Sequence, residues 1–304
     1  MTTLTYILAS GAGFFVGAAF IVIAVAVDLF PLKRTGMAAM RIVAIAGVAL
    51  VVASATPLPW WVYGLWAGMV LAWLIGGRLA ASIRGRRRRL GRALNLLAAG
   101  MTFVAIAIEA PWHARPEPPQ ETWRRLVVIG DSLSTSLRGE TPWPEVIARE
   151  HNVNVTNLAK PGATAFSANV QARAVPPGRA LVIVEIGGND LLGDTPADVF
   201  EASLDSLLRT VRHRQRRIVM LELPLPPLKN RYGLVQRRLA RKYNAILIPK
   251  RYLAMLLADG ENTLDGLHLS DRGHDRMAAL LWNLAARTVR PRLRPPVELA
   301  MKKM

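Results

Sequence analysis

The sequence has no cysteine among its 304 residues. That absence excludes a disulfide framework, a thiolate nucleophile and a cysteine-based zinc site. Negative charge is also scarce at one end of the chain, because only Asp28 and Glu109 of the 21 acidic residues precede residue 111. The remainder has the mixed composition of an ordinary soluble domain. We therefore expect a membrane part followed by a soluble part.

Long apolar runs fill the first part. They predict four membrane-spanning helices, at about residues 6–30, 37–55, 60–77 and 94–110, since a bilayer core needs about 20 helical residues. The first run contains Gly13 and Gly17, a spacing of small residues that permits close helix packing. We expect a transmembrane region over residues 1–112, a Pro-rich linker over 113–123, a catalytic domain over 124–290 and a basic tail over 291–304.

Basic residues indicate the orientation of these helices. They cluster in two loops, the first with Lys33, Arg34 and Arg41 and the second with Arg78, Arg84, Arg86, Arg87, Arg88, Arg89 and Arg92. Positively charged loops stay in the cytoplasm, so the amino terminus and everything after residue 110 are expected outside. This predicts a multi-pass protein of a bacterial inner membrane with a periplasmic catalytic domain.

The net charge of +18 raises the question of a nucleic-acid partner. No zinc-finger, helix-turn-helix or basic-aromatic signature accompanies the charge. A basic face near anionic lipid headgroups explains it more simply. We expect the bilayer and an acyl ester as partners and no nucleic acid.

Apolar strands and amphipathic helices alternate in the second part, which predicts an α/β domain with a mostly parallel five-stranded sheet. The active site of such a sheet lies beyond the carboxyl ends of its strands. The strands are expected at 126–129, 153–158, 180–186, 218–221 and 245–248, and the helices at 141–150, 197–214, 232–242 and 271–289, the last with Ser270 as its N-cap.

Three segments follow strands where this site is expected: "GDSL" (130–133), "NLAKPGAT" (157–164) and "GGND" (187–190). A fourth, "DGLH" (265–268), precedes the last helix. Each alone is typical of a turn, but together they supply the parts of an acyl-transfer site. Ser132 is the candidate nucleophile, and His268 is its candidate base. The other histidines are expected in solvated or surface positions: His113, His151, His213 and His274.

The remaining candidates support that nucleophile and base. Asp265 lies three residues before His268, close enough to bind the imidazole and fix its tautomer. The backbone N–H groups of Ser132 and Gly162 and the side-chain amide of Asn189 are candidate oxyanion donors. Asp131 and Asp190 are interpreted as supports of their turns. No metal site or cofactor fingerprint is found, so neither a metal nor a cofactor is expected.

The four segments in this order resemble those of the SGNH (GDSL) hydrolase superfamily, in particular its bacterial thioesterase/lysophospholipase and arylesterase members. The resemblance covers about residues 125–284. It implies a flavodoxin-like three-layer α/β/α fold. It also implies a triad of Ser132, His268 and Asp265, with an oxyanion hole of Ser132, Gly162 and Asn189. The apolar first part is not typical of the secreted members.

These features predict a membrane-anchored serine esterase that hydrolyses lysophospholipid-like or other acyl esters on the outer face of the membrane. An O-acetyl or acyl esterase, or an acyltransferase, acting on cell-envelope glycans is the alternative. A non-catalytic membrane module is a second alternative.

Overall fold

The structure is a computed structural model that describes residues 3–28, 34–80 and 86–292. These residues belong to two compact units. The first comprises Met1–Arg115, Glu222–Arg238 and Pro249–Asp259, and the second Pro116–Leu221, Leu239–Ile248 and Gly260–Met304. Several predicted features lie outside the described residues: the end of the first predicted helix, Lys33, Arg84 and the basic tail from residue 293.

Five helices form the amino-terminal part of the first unit. They are α1 (Thr3–Ala9), α2 (Ala12–Val27), α3 (Arg34–Ala53), α4 (Trp60–Ala80) and α5 (Arg86–Glu109). The predicted four-span arrangement is not confirmed. Among the described residues, one helical run, Arg89–His113, is long and apolar enough to cross a membrane. The apolar stretches Ala38–Ala53 and Trp60–Gly76 are shorter.

The first predicted span is broken, so the prediction of one continuous helix there is wrong. The axes of α1 and α2 differ by 85° at the break. Gly11 has a φ of 83° at this point, which is left-handed backbone that ends the helical turn. The break cannot be detected from the hydropathy of the sequence, because hydropathy does not report the backbone conformation of a glycine.

Two glycines bring α2 and α3 into backbone contact. A Cβ atom added to Gly17 would lie 2.4 Å from the carbonyl oxygen of Gly47, and one added to Gly47 would lie 2.6 Å from that of Gly17. Any side chain at either position would push the helices apart. Gly17 therefore packs as its spacing predicts, whereas Gly13 faces α1 through Leu8 and Ile7.

The second unit is built on a parallel five-stranded sheet in the order β2-β1-β3-β4-β5, which confirms the predicted sheet. Its central strand β3 is buried along its whole length. The strands are β1 (Arg125–Gly130), β2 (Val155–Asn157), β3 (Ala180–Glu185), β4 (Arg216–Leu221) and β5 (Ile246–Ile248).

The helices that follow in the chain are α6 (Trp143–Glu150), α7 (Asn169–Arg173), α8 (Gly188–Leu192), α9 (Ala197–Val211), α10 (Asn230–Lys242), α11 (Lys250–Ala258) and α12 (Asp271–Leu284). Of these, α6 packs against α12 and α7 against α9. Ser270 caps α12 as predicted, because its hydroxyl accepts a hydrogen bond from the Gly273 N–H at 3.2 Å.

A buried ionic network lies inside the first unit. The Arg237 guanidinium donates to both carboxylate oxygens of Glu109, at 2.6 and 2.8 Å, and its Nε donates to Glu222 at 2.7 Å. The ammonium group of Lys250 donates to the Ala55 carbonyl oxygen at 3.3 Å. All four charged side chains are almost completely buried. The network ties the end of α5 to α10 and to the start of α11.

Candidate active site

Ser132 opens a tight turn directly after β1. The turn is a short 3-10 helix, Ser132–Ser134, and the side chain of Asp131 caps it by accepting a hydrogen bond from the Leu133 N–H at 3.0 Å. Ser132 itself is half-buried, so its hydroxyl is accessible. The turn therefore holds Ser132 at the carboxyl end of a strand, which is where a nucleophile is expected in such a sheet.

The backbone before the turn is clamped on both sides. The Gln171 side-chain amide accepts from the Gly130 N–H and donates to the Gly130 carbonyl oxygen, each at 3.0 Å. A Cβ atom added to Gly130 would lie 2.6 Å from the Ser134 hydroxyl. Glycine is therefore required here so that the turn can fold back onto the strand.

A buried carboxyl group lies under the same turn. Glu185, the last residue of β3, accepts hydrogen bonds from the Ser134 hydroxyl at 2.9 Å and from the Asp131 N–H at 3.3 Å. The Ser134 hydroxyl in turn accepts from the Trp143 indole N–H at 3.1 Å. These contacts fix the turn from below. Sequence reasoning missed Glu185, although an acidic residue at the end of an otherwise apolar strand was the available signal.

The carboxyl groups of Asp131 and Glu185 interact. Burial raises the pKa of Glu185 well above its usual value, and the nearby charge of Asp131 raises it further. Burial also raises the pKa of Asp131, while the hydrogen bond from Leu133 and the charge of His268 lower it. Two carboxylates this close do not both ionise readily. We therefore assign one proton to the pair, held on Glu185.

Gly162 occupies an exposed turn after β2. Its φ is 72°, and a Cβ atom added there would meet nothing within 4 Å. The backbone conformation, rather than crowding, thus favours glycine. Within the described part of the chain, the N–H groups of Gly162 and Ser132 donate no hydrogen bond, so both are free to donate to an oxyanion.

Asn189 links the three loops that follow β1, β2 and β3. Its side-chain NH₂ donates to Asp131 at 3.2 Å and to the Ala163 carbonyl oxygen at 3.1 Å. Both amide hydrogens are engaged in this structure, so donation to an oxyanion requires that one of them be shared or exchanged. Asp190 joins the same loops, because its carboxylate accepts from the Ala165 N–H at 2.8 Å. The interpretation of Asp131 and Asp190 as turn supports is confirmed.

His268 and Asp265 form a close pair. The Nδ1 atom of His268 lies 2.7 Å from a carboxylate oxygen of Asp265. The other oxygen of Asp265 accepts from the backbone N–H groups of His268 and Leu267, at 2.8 and 3.0 Å. These hydrogen bonds hold the pKa of Asp265 well below its usual value. A charged carboxylate at Nδ1 retains a proton there and leaves Nε2 as the proton acceptor.

The structure thus places the predicted residues in two groups. Ser132, Gly162 and Asn189 lie in turns that Asp131 and Ala163 join. The Asp265–His268 pair lies in the loop before α12. No hydrogen bond joins Ser132 to His268 among the described residues. Their alignment as nucleophile and base stays a prediction.

Two histidines differ from the sequence expectation. His274 is buried, not on the surface, and its Nδ1 accepts from the Trp143 backbone N–H at 3.2 Å. Burial lowers the pKa of His274 and favours the neutral ring. His113 is only partly exposed and contacts Glu109 at 3.0 Å. Neither ring joins the site, and no cluster of three or more potential metal ligands occurs among the described residues.

This chain is similar in sequence to known lipases and esterases. Residues 128–276 match the model of the GDSL-like Lipase/Acylhydrolase family. Esterase TesA of Pseudomonas aeruginosa is 29% identical over 172 residues, which cover 53% of this chain and 84% of the relative. Arylesterase of Vibrio mimicus is 28% identical over 115 residues, which cover 34% of this chain and 56% of the relative.

Two solved structures each match about half of the chain. The esterase EstA of Pseudoalteromonas sp. has a TM-score of 0.48 and 17% identity, and the match covers 53% of this chain and 96% of that one. The crystal structure of TesA has a TM-score of 0.47 and 23% identity, over 53% of this chain and 97% of that one.

Proposed function

We propose that this chain is an ester-hydrolysing serine hydrolase of the SGNH/GDSL superfamily, and that Ser132, His268 and Asp265 are its triad. The observation that carries the assignment is the 2.7 Å contact between His268 and Asp265. Such a contact orients an imidazole to act as a general base.

The proposed reaction passes through an acyl-enzyme. The Ser132 oxygen attacks the ester carbonyl carbon while His268 Nε2 takes the hydroxyl proton. The resulting oxyanion accepts hydrogen bonds from the N–H groups of Ser132 and Gly162 and from the Asn189 amide. As the C–O bond breaks, His268 returns the proton to the leaving alcohol. Water, activated by the same imidazole, then releases the acid and restores Ser132.

An apolar rim favours an ester with a long acyl chain. Each of the four site loops exposes one large apolar residue: Leu137, Phe166, Leu192 and Leu267. Phe166 is 76% exposed and Leu192 is 64% exposed, which is costly unless apolar substrate covers them. Exposed apolar residues in all four loops that carry the candidate site residues support a lysophospholipid-like or similar acyl ester as the substrate.

We further propose that the first part of the chain anchors the enzyme in a bacterial inner membrane, with the amino terminus and the hydrolase domain on the outer side. The apolar run Arg89–His113 and the basic residues before it support this orientation.

The orientation is tested with single cysteine substitutions, because the chain has no native cysteine that would react with the same reagent. An impermeant maleimide should label Glu117→Cys but not Arg84→Cys in spheroplasts. The reverse pattern would place the hydrolase domain in the cytoplasm.

A fluorophosphonate probe tests the nucleophile. We expect it to label the wild-type protein and to fail with Ser132→Ala and His268→Ala. Ser136→Ala is the matched control, because Ser136 is a second accessible serine in the same loop, and it should be labelled normally. Labelling that persists in Ser132→Ala would refute the assignment.

The substrate is tested separately by turnover, and the wild-type enzyme should hydrolyse lysophospholipids faster than acetylated glycans.

A further inference from the structure

The amino-terminal edge of the sheet is strongly basic. Arg125 begins β1 and Arg216 begins β4, and other basic residues flank the strands in segments far apart in the sequence: 124–125, 212–217, 241–242 and 290–292. Because all five strands are parallel, this edge lies opposite the loops that carry Ser132. The fold therefore concentrates cations on the side of the domain that catalysis does not use.

One groove of about 450 Å³ lies at the β4 and β5 end of this edge. Arg212, Arg214 and Arg217 line it, and within the described part of the chain their side chains have no ionic partner. Arg216 and Lys242 also line the groove, but their side chains already contact other groups of the protein. The Arg216 guanidinium donates to backbone carbonyl oxygens, and Lys242 pairs with Asp205 at 2.6 Å. Three guanidinium groups thus remain for a ligand.

A second groove of about 530 Å³ lies at the β1 end. Its basic lining residues are Arg124, Arg125, Arg290 and Arg292. Arg292 donates to the Val153 carbonyl oxygen at 3.1 Å. Among the residues that the structure describes, no acidic residue lines either groove. Like charges brought together without counter-charges repel each other. An anionic ligand would relieve that repulsion in both grooves.

The spacing of the grooves favours a chain over a single small anion. Strand β3 alone separates β1 from β4, so the two strand ends lie about 10 Å apart. A polymer with an anionic group on each successive unit can place charges in both grooves at once. Linking two weak sites in this way raises the affinity without any new contact.

The surroundings of the grooves favour a polyanion other than a nucleic acid or a lipid as the ligand. Membrane-surface proteins combine basic with exposed apolar residues, but no large apolar side chain is exposed in the described segments of this edge. Proteins that bind single-stranded nucleic acid stack bases on aromatic rings. The aromatic residues nearest the grooves, Trp123 and Tyr243, are buried.

We propose that the basic edge binds a linear polyanion, such as a phosphate- or carboxylate-bearing envelope glycan, across the two grooves. Binding there would hold the enzyme on an anionic polymer while the opposite edge of the sheet stays open to the ester. This inference does not depend on the assignment of the triad.

Binding of labelled inorganic polyphosphate and heparin to the full chain in detergent tests the proposal, with salt as a variable. We expect Arg214→Gln/Arg217→Gln and Arg124→Gln/Arg290→Gln each to weaken binding about tenfold or more, because each loses two ionic contacts. Arg138→Gln/Arg272→Gln is the control, since it removes the same charge from the opposite edge. The control variant should bind the labelled polymers with an affinity within about twofold of that of the wild type. The salt dependence of its affinity should decrease less than that of the edge variants.

The edge variants should hydrolyse a soluble ester at the wild-type rate. Unchanged hydrolysis would show that the variants fold, and it would also separate the test of polymer binding from the test of the triad. A control variant that weakens binding as much as the edge variants would overturn the proposal, since net charge alone would then explain it. Tighter binding of oligothymidylate would assign the edge to nucleic acid. Binding of phosphatidylglycerol vesicles but of neither polymer would assign it to lipid headgroups.

Discussion

Glu185 lies directly beneath the Ser132 turn and interacts with Asp131 through both the carboxyl group and the backbone N–H of that residue. No cation balances this fully buried side chain among its described partners, which are Ser134 and Asp131. A proton on Glu185 therefore keeps the pair at a single negative charge. That charge is available to hold Asn189 in place.

We expect Glu185→Gln to remain active, because its amide accepts the same hydrogen bonds and donates to Asp131 in place of the acid proton. Glu185→Leu should lose about 1–3 kcal/mol of folding free energy, since the Ser134 hydroxyl and the Asp131 N–H would be left unpaired. It should also lose activity, because the turn is released. Urea unfolding and ester hydrolysis measure the two effects. Equal damage in both variants would argue against a neutral Glu185.

The same pair predicts a pH dependence of stability. A carboxyl group with a raised pKa in the folded state binds more protons when folded than when unfolded, so the free energy of unfolding falls as the pH rises above the unfolded pKa of about 4.3. Glu185→Gln has no proton to lose. Its stability relative to wild type should increase from about pH 4 upward. Thermal unfolding of both proteins across this range is the measurement, and parallel curves would contradict the assignment.

Asp265→Asn tests the orienting role of this carboxylate. The amide retains much of the loop geometry but no longer stabilises a charged imidazole, and by analogy with serine proteases the loss in kcat is up to about 10⁴-fold. The folding stability should change little, because Asp265 is exposed. Steady-state kinetics with a soluble ester measures the effect. A rate close to that of wild type would remove Asp265 from the triad.

Asn189→Ala separates the two functions of this side chain. Loss of one oxyanion donor lowers kcat by about 10²–10³-fold with a smaller effect on KM. Loss of the link between Asp131 and Ala163 lowers the melting temperature instead. If Asn189 were only such a link, the variant would melt earlier but recover its full kcat at low temperature. Kinetics and calorimetry on one preparation distinguish these outcomes.

The sequence predicted the sheet because strands depend on local patterns, and apolar runs identified them. Short polar segments after the strands gave Ser132, Gly162 and Asn189 as candidates, and their functions stay predictions. Glu185 and Gln171 were missed because their functions depend on contacts across strands that no local pattern reports. The four predicted membrane spans are not confirmed, and the first is interrupted because hydropathy does not register the backbone conformation of Gly11. His274 was placed wrongly because its partner, the Trp143 N–H, is distant in sequence.

The ion pairs of Arg237 bear on how the enzyme can be produced. A gene fragment that starts at the Pro-rich linker would encode every proposed site residue, and the domain boundary expected from sequence invites that design. It would also remove Glu109, so Arg237 would lose the bidentate ion pair that it makes with this carboxylate in the first unit. Purification of the full-length chain in detergent is therefore the sounder route to active material.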